Sequence, residues 1–215
     1  EYDWVGNLIK KKDPNRQTTT YEYDRMNRLI QAVYPDNTLS YDYDLVGNRT
    51  HVIDIQGVTR YEYDALNRIT RITNPANQTI GYTYDALGRR TSLIYPDTRA
   101  VNYAYDSASR LSTVTDWDNQ TTQYTYTDRG QLSTVNYPNG ATAGYTYDNA
   151  GRLTDIVHRN AANQIILPIH YTLDANGNRT AMTDDRGAEQ YTYDTLDRLT
   201  QVVYADGETV SYTYD

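Results

Sequence analysis

The residues with chemical potential recur along this sequence at a fixed pitch, and the regularity bears on what they can do. Aspartates at Asp24, Asp64, Asp85, Asp106, Asp148 and Asp194 are each followed four residues later by Arg28, Arg68, Arg89, Arg110, Arg152 and Arg198. Carboxylates poised beside other ionisable groups can serve acid–base chemistry. A catalyst, however, needs one special constellation, and here the same pair returns six times along the chain. His51, His158 and His170 lack metal-ligand spacing, and there is no G-x-S-x-G, H-E-x-x-H or phosphate loop. Asp116-Trp117-Asp118-Asn119 opens like a calcium loop but lacks the later glycine and the bidentate glutamate, so it reads as a turn. No catalytic, metal or cofactor-binding residue is assigned, no cofactor is expected, and the chain is not expected to be an enzyme.

What positions these residues is a repeat. Its cleanest copy is Tyr145-Thr146-Tyr147-Asp148-Asn149-Ala150-Gly151-Arg152-Leu153, the pattern Y-x-Y-D-x-x-G-R-L. The second tyrosine falls at Tyr2, Tyr23, Tyr43, Tyr63, Tyr84, Tyr105, Tyr126, Tyr147, Leu173, Tyr193 and Tyr214, in steps of 20 or 21 residues with one step of 26. Such a period decides the architecture before any local reading, because each unit must bury its surface against its neighbours. Residues 1–215 are therefore read as one array of about ten repeats of 20–21 residues. The long step predicts an enlarged hairpin near 156–170, which is where a ligand site would be sought first. The motif residues expected to build the fold are Tyr21, Tyr23 and Asp24; Tyr41, Tyr43, Asp44 and Gly47; Tyr61, Tyr63 and Asp64; Tyr82, Tyr84, Asp85, Gly88 and Arg89; and Tyr145, Tyr147, Asp148, Gly151 and Arg152.

Within a unit the pattern has period 2, which makes these segments strands. In Thr38-Leu39-Ser40-Tyr41-Asp42-Tyr43 the residues Leu39, Tyr41 and Tyr43 share one face. Asp44-Leu45-Val46-Gly47 is a type I turn signature, and Arg49 to Ile53 returns. The second turn recurs as Asp13-Pro14-Asn15, Pro35-Asp36-Asn37, Pro96-Asp97-Thr98 and Pro138-Asn139-Gly140 among others, and Thr98 breaks its rule of ending on Gly or Asn. Those two residue types tolerate positive φ, which a tight hairpin needs. Every connection is too short for a parallel crossover. The expected fold is all-β, a continuous antiparallel hairpin meander. One face carries tyrosines alternating with aliphatics, and the other is wet through Glu22, Asp42, Thr83, Thr146 and their equivalents. The aspartate should cap its turn, and the arginine should bridge to a neighbouring repeat's carboxylate.

Composition agrees with a thin sheet. There are 24 Tyr and no Phe, so the large apolar groups carry hydroxyls that can stay wet or hydrogen-bonded. Net charge is −8 and the lysines are confined to Lys10, Lys11 and Lys12, so the basic stripe that nucleic acid requires is missing. No apolar run approaches the roughly 20 residues of a membrane-spanning helix. Cysteine is absent, which excludes disulfides and thiolate metal sites. The sequons at Asn48, Asn77, Asn119 and Asn178 follow from the repeat's turns. Because the chain opens at Glu1 and closes inside a motif at Asp215, it is expected to be a stretch of a longer array.

The copies Tyr21-Glu22-Tyr23-Asp24, Tyr82-Thr83-Tyr84-Asp85-Ala86-Leu87-Gly88-Arg89 and Tyr145 to Leu153 resemble the YD repeats of the RHS/YD-repeat family, and the resemblance extends over the whole chain. It implies a β-strip that winds into a spiral sheet, shell or tube. In the family such strips form hollow walls around a polypeptide, in bacterial insecticidal toxin complexes and polymorphic RHS toxins, and they occur in the animal teneurins. The repeats are the wall there, with toxin or adhesive activity elsewhere. The resulting expectation is a structural wall of a secreted or cell-surface shell, tube or fibre, a segment of a larger toxin-encapsulating enclosure. Its partners would be further repeats of the same or another copy joined end to end, and an enclosed polypeptide cargo. About twenty strands at 4.8 Å would form a strip of roughly 96 Å. Closed into one ring it would be roughly 30 Å across, too small for a folded toxin. The alternative expectation is an adhesion module that binds glycans or protein through exposed tyrosine.

Overall fold

A computed structural model describes residues 1–215, with twenty β-strands and no helix. The chain divides into two compact units, Glu1–Asn102 and Tyr103–Asp215. Both are built from the expected hairpin. In the first unit Thr38–Tyr43 runs out and Arg49–Asp54 returns, pairing Tyr41 with Val52 and Asp42 with His51. In the second, Thr142–Tyr147 and Leu153–Arg159 pair Tyr145 with Ile156. The next outgoing strand then pairs with the other side of each return strand, as Ala32 does with Leu39 and Val135 with Ala143. All these pairings are antiparallel.

The turn after the second tyrosine explains why the motif reads D-x-x-G. Gly151 N–H donates to the Asp148 carbonyl at 3.0 Å, and Asp148 N–H to the Arg152 carbonyl at 2.9 Å. The fourth residue is left-handed, with φ 81° at Gly151, 99° at Gly47 and 60° at Asn27 and Asn67. A type I turn closed by a left-handed residue inserts one extra residue into the hairpin. Accordingly the register slips between Thr146 and Tyr147, and likewise between Glu22 and Tyr23 and between Asp42 and Tyr43.

The second turns depart from expectation in three places. In the turn after Asp13 the left-handed residue is Arg16 (φ 66°), not Asn15, because Asp13 N–H pairs with the Gln17 carbonyl, which puts Arg16 where Asn77 stands in the turn closed by Asn74 and Gln78. Asn37 is not left-handed, since Tyr34 N–H bonds directly to the Asn37 carbonyl at 2.7 Å and closes a shorter turn. Thr98, which breaks the Gly-or-Asn rule, nevertheless takes φ 70°, a strained conformation for a β-branched residue.

The faces fall as expected. Glu22, Asp42, Thr83, Thr125, Thr146 and Thr192, each between two tyrosines, are exposed. The core is one residue deep on the tyrosine face, at Ala32, Val101, Val135, Ala143 and Val202. No large side chain is fully buried. The rings are half-buried, so stability must come from many modest contacts. Around the long step the extra residues lengthen the hairpin arms, Leu153–Arg159 and Ile165–Leu173, and leave a short turn between them. Ile165 and Ile166 at its tip are exposed.

Candidate functional site

The chemistry-bearing residues do not converge on one centre. They form a link made again at each repeat, and Asp148 shows its parts. Its Oδ1 accepts the backbone N–H groups of Ala150 and Arg152, both at 2.9 Å, and its Oδ2 accepts Arg152 Nε at 2.6 Å. Asp24, Asp64 and Asp85 are arranged in the same way, with Arg28, Arg68 and Arg89. The arginine's ion pair is thus with its own turn's aspartate, which corrects the expectation of a bridge to a neighbour's carboxylate. Four residues across a tight turn bring the two side chains side by side, and the neighbour's carboxylate is already held in its own turn.

The link to the neighbour is made by the rest of the guanidinium. Arg152 Nη1 donates to the Asp174 carbonyl at 2.7 Å, and Arg68 Nη1 to the Asp85 carbonyl at 3.1 Å. The same guanidinium lies over the second tyrosine of the next repeat, with Arg28 4.6 Å from the Tyr43 centroid, Arg68 4.6 Å from Tyr84 and Arg110 4.4 Å from Tyr126. At exposed sites such contacts contribute about 0.5–1 kcal/mol each. Where asparagine replaces arginine it does the same work at shorter reach. Asn48 Nδ2 donates to Asp44 Oδ2 at 2.9 Å and to Asn67 Oδ1 of the next turn at 2.8 Å.

Tyrosine closes the link. The hydroxyls of Tyr43, Tyr63, Tyr84, Tyr126, Tyr147, Tyr193 and Tyr214 donate to the first carbonyl of the preceding return strand, at 2.7–2.9 Å, and Tyr23 donates to the Leu8 carbonyl at 3.0 Å. Tyr43, for example, reaches the Leu29 carbonyl. That carbonyl lies beyond the end of the ladder, which stops at Gln31 and Ser40. The first tyrosines, Tyr21, Tyr41, Tyr61, Tyr82 and Tyr145, pair across the strand with Ala32, Val52, Ile72, Leu93 and Ile156.

Spacing alone does not reveal one polar cluster. His170 Nδ1 lies 2.7 Å from Asp155 Oδ1, and Thr146 Oγ1 donates to Asp155 Oδ2 at 2.6 Å. The register Thr146↔Asp155↔His170 assembles it on the wet face. The signal would have been the strand pairing of the enlarged hairpin, which brings together residues 24 positions apart. His51 lies 3.4 Å from Asp42 in a looser version of the same contact. Asp116 accepts the N–H groups of Asp118 and Gln120 and so makes the turn that its sequence suggested.

The turn bonds make the array acid-sensitive. The carboxyls of Asp24, Asp106, Asp148 and Asp194 are held below the ordinary 3.8, first by the backbone N–H of the paired arginine and then by its side chain. A group whose folded pKa is depressed contributes stability above its unfolded pKa and loses it as pH falls through the folded value. The thermal midpoint is therefore expected to hold from neutrality to about pH 5 and to fall increasingly below about pH 4. Asp148→Asn should shrink that drop while lowering the midpoint at neutral pH. Scanning calorimetry across this range checks both; an unchanged midpoint at pH 2.5 would exclude the aspartates as structural anchors.

The sequence profile of the RHS Repeat matches residues 2–39, 43–79, 63–100, 84–121, 105–142, 126–163 and 174–209. No curated protein sequence matches the chain. Among solved structures, the crystal structure of TcdB2-TccC3-TEV aligns with TM-score 0.76 at 19% identity, covering 94% of this chain and 12% of that one. The crystal structure of TcdB2-TccC3 aligns with TM-score 0.62 at 18% identity, over 94% of this chain and 14% of that one. A Photorhabdus luminescens Tc holotoxin pore with a mutated TccC3 aligns with TM-score 0.61 at 19% identity, over 94% and 13%. The chain thus spans 12–14% of the length of these structures, and at such identities the likeness is one of fold.

Proposed function

From the premise that this chain belongs to the RHS repeat family, we propose that it is a stretch of structural wall in a larger secreted or surface-exposed protein, one that encloses a polypeptide cargo. It is not an enzyme in this reading. The observation that carries the proposal is the sameness of the link. Aspartate, arginine and tyrosine are spent at nearly every step on holding one repeat to the next, and the array singles out no catalytic centre. Further repeats, from the same or another copy, continue the sheet end to end, since an unpaired strand templates another. The aligned complexes, which contain TccC3 with TcdB2, support a place in a toxin assembly.

Negative-stain electron microscopy of the purified chain tests this. Tubes, fibres or closed particles are the expected result. Discrete monomers that bind a glycan array would replace the wall by the second reading, an adhesion module. One observation favours that reading. Trp4, Leu45, Val46, Leu66 and Leu87 at successive first-turn tips of the first unit are largely exposed, and apolar tips in a row mark a contact surface.

A further inference from the structure

One repeat lacks its second tyrosine. Leu173 stands where other repeats place a phenol that donates to a strand-end carbonyl and, at Tyr43, Tyr84, Tyr126 and Tyr214, lies beneath the preceding arginine. Register confirms the equivalence. Tyr43 reaches Leu29 from strands paired Gln31↔Ser40, and the pairing Asp155↔His170 sets Leu173 in the same relation to Leu153. The rest of the frame is built. Arg152 is fixed in the usual way, by Asp148 and by the Asp174 carbonyl, but the residue below it has no ring. The Leu153 carbonyl likewise has no tyrosine to donate to it.

An open groove of about 520 Å³ occupies this place, lined by Leu153, Tyr171, Leu173, Arg179, Tyr191 and Tyr193 among others. That volume is in the range of small-ligand sites. Arg179, itself exposed, stands between two rings, 4.4 Å from the Tyr171 centroid and 5.9 Å from that of Tyr191. Arg49 is held the same way between Tyr41 and Tyr61, but there Tyr43 is present and fills the equivalent position. Among the lining residues the two places differ only in Tyr43 against Leu173 and, conservatively, Ile69 against Leu199.

We propose that this groove binds a phenol ring from outside the chain, the tyrosine side chain of a bound polypeptide segment. The chemistry left vacant selects it. The Leu153 carbonyl asks for a hydroxyl donor, and the exposed guanidinium of Arg179, which lines the groove and meets Tyr191 only at 5.9 Å, can take a further π-system. A plain hydrocarbon ring would bury the carbonyl without a partner. A carboxylate would meet the arginines but be repelled by the carbonyl oxygen, and a sugar has hydroxyls but no π-face. The other repeats supply the template, since at Tyr43, Tyr84, Tyr126 and Tyr214 they hold a tyrosyl ring in this frame.

The test uses the full chain and two soluble probes, N-acetyl-L-tyrosinamide and N-acetyl-L-phenylalaninamide, followed by NMR. Saturable shifts confined to residues around Leu173 and Arg179 are expected with the first. The second should bind roughly fivefold more weakly, the value of one neutral hydrogen bond. Leu173→Tyr installs a resident phenol, and should abolish the shifts while raising the thermal midpoint. Equal binding of both probes, no saturable shift, or undiminished binding by L173Y would each overturn the proposal. Should L173Y fail to fold, Arg179→Gln carries the test from an exposed position, and undiminished binding there would overturn it equally.

Discussion

Tyr145→Ala with Tyr147→Ala is expected to lower the stability of the second unit by about 5 kcal/mol. A fully buried tyrosine removes roughly 150–250 Å² from water, and at 25 cal/mol per Å² a half-buried ring contributes about 2 kcal/mol. Two rings give about 4 kcal/mol, and the Tyr147 hydroxyl bond to the Leu132 carbonyl, 2.9 Å long, adds about 1 kcal/mol. Burial also pushes the Tyr145 phenol's pKa up, consistent with a ring held against its neighbours. The effect should be local in origin, because each repeat touches only the next. Urea denaturation followed by tyrosine fluorescence reads the loss, and an unchanged midpoint would mean the rings are ornaments of the sheet. Tyr147→Phe, which keeps the ring and removes the hydroxyl, should retain most of the stability.

The second large effect is expected from a single methyl group. Gly187 has φ +132°, a conformation that residues with a Cβ rarely adopt, and a Cβ added there would lie 2.9 Å from Ala205 Cβ in the next repeat's second turn. Gly187→Ala should therefore cost about 2–4 kcal/mol, combining backbone strain of about 1–3 kcal/mol with the displacement of that turn. Gly207 is the internal comparison. Its φ is +87°, but a Cβ there would meet nothing within 4 Å. Gly207→Ala should carry the strain alone, so the difference between the two melting points isolates the turn-to-turn contact. Equal losses would show that the turns of successive repeats do not depend on close approach. Gly57 and Gly140 face Pro75 and Ala161 at 3.0 Å, so the same contact recurs along this row of turns.

Much of the architecture was legible before any coordinates. Alternation in Thr38 to Tyr43 placed the strand and its faces, because side chains in a strand point to opposite sides with period 2. Asp44 and Gly47 placed the turn, because capping and positive φ are local properties of those residue types. The less regular turns were harder to read. Asn15 and Asn37 have the right chemistry, yet which residue turns left depends on which backbone pair closes the turn. That is set by how the flanking strands pair.

The motif residues were legible as a set, but their bonds were not. Asp148 and Arg152 are four residues apart, and nothing in that spacing says whether the arginine serves its own turn or the neighbour's. The structure shows both, through Nε and Nη1 respectively. Tyr147 likewise reads as a ladder ring, while its hydroxyl goes to a carbonyl 15 residues earlier.

By itself, then, the sequence determined the period, the strands, the wet face and the family, because each rests on local preferences repeated often enough to leave no competitor. Only the tertiary structure decided what joins one repeat to the next, and what Leu173 leaves open. Those depend on where the ends of long side chains arrive after a register shift. That is a matter of distances between strands, which spacing along the chain does not encode.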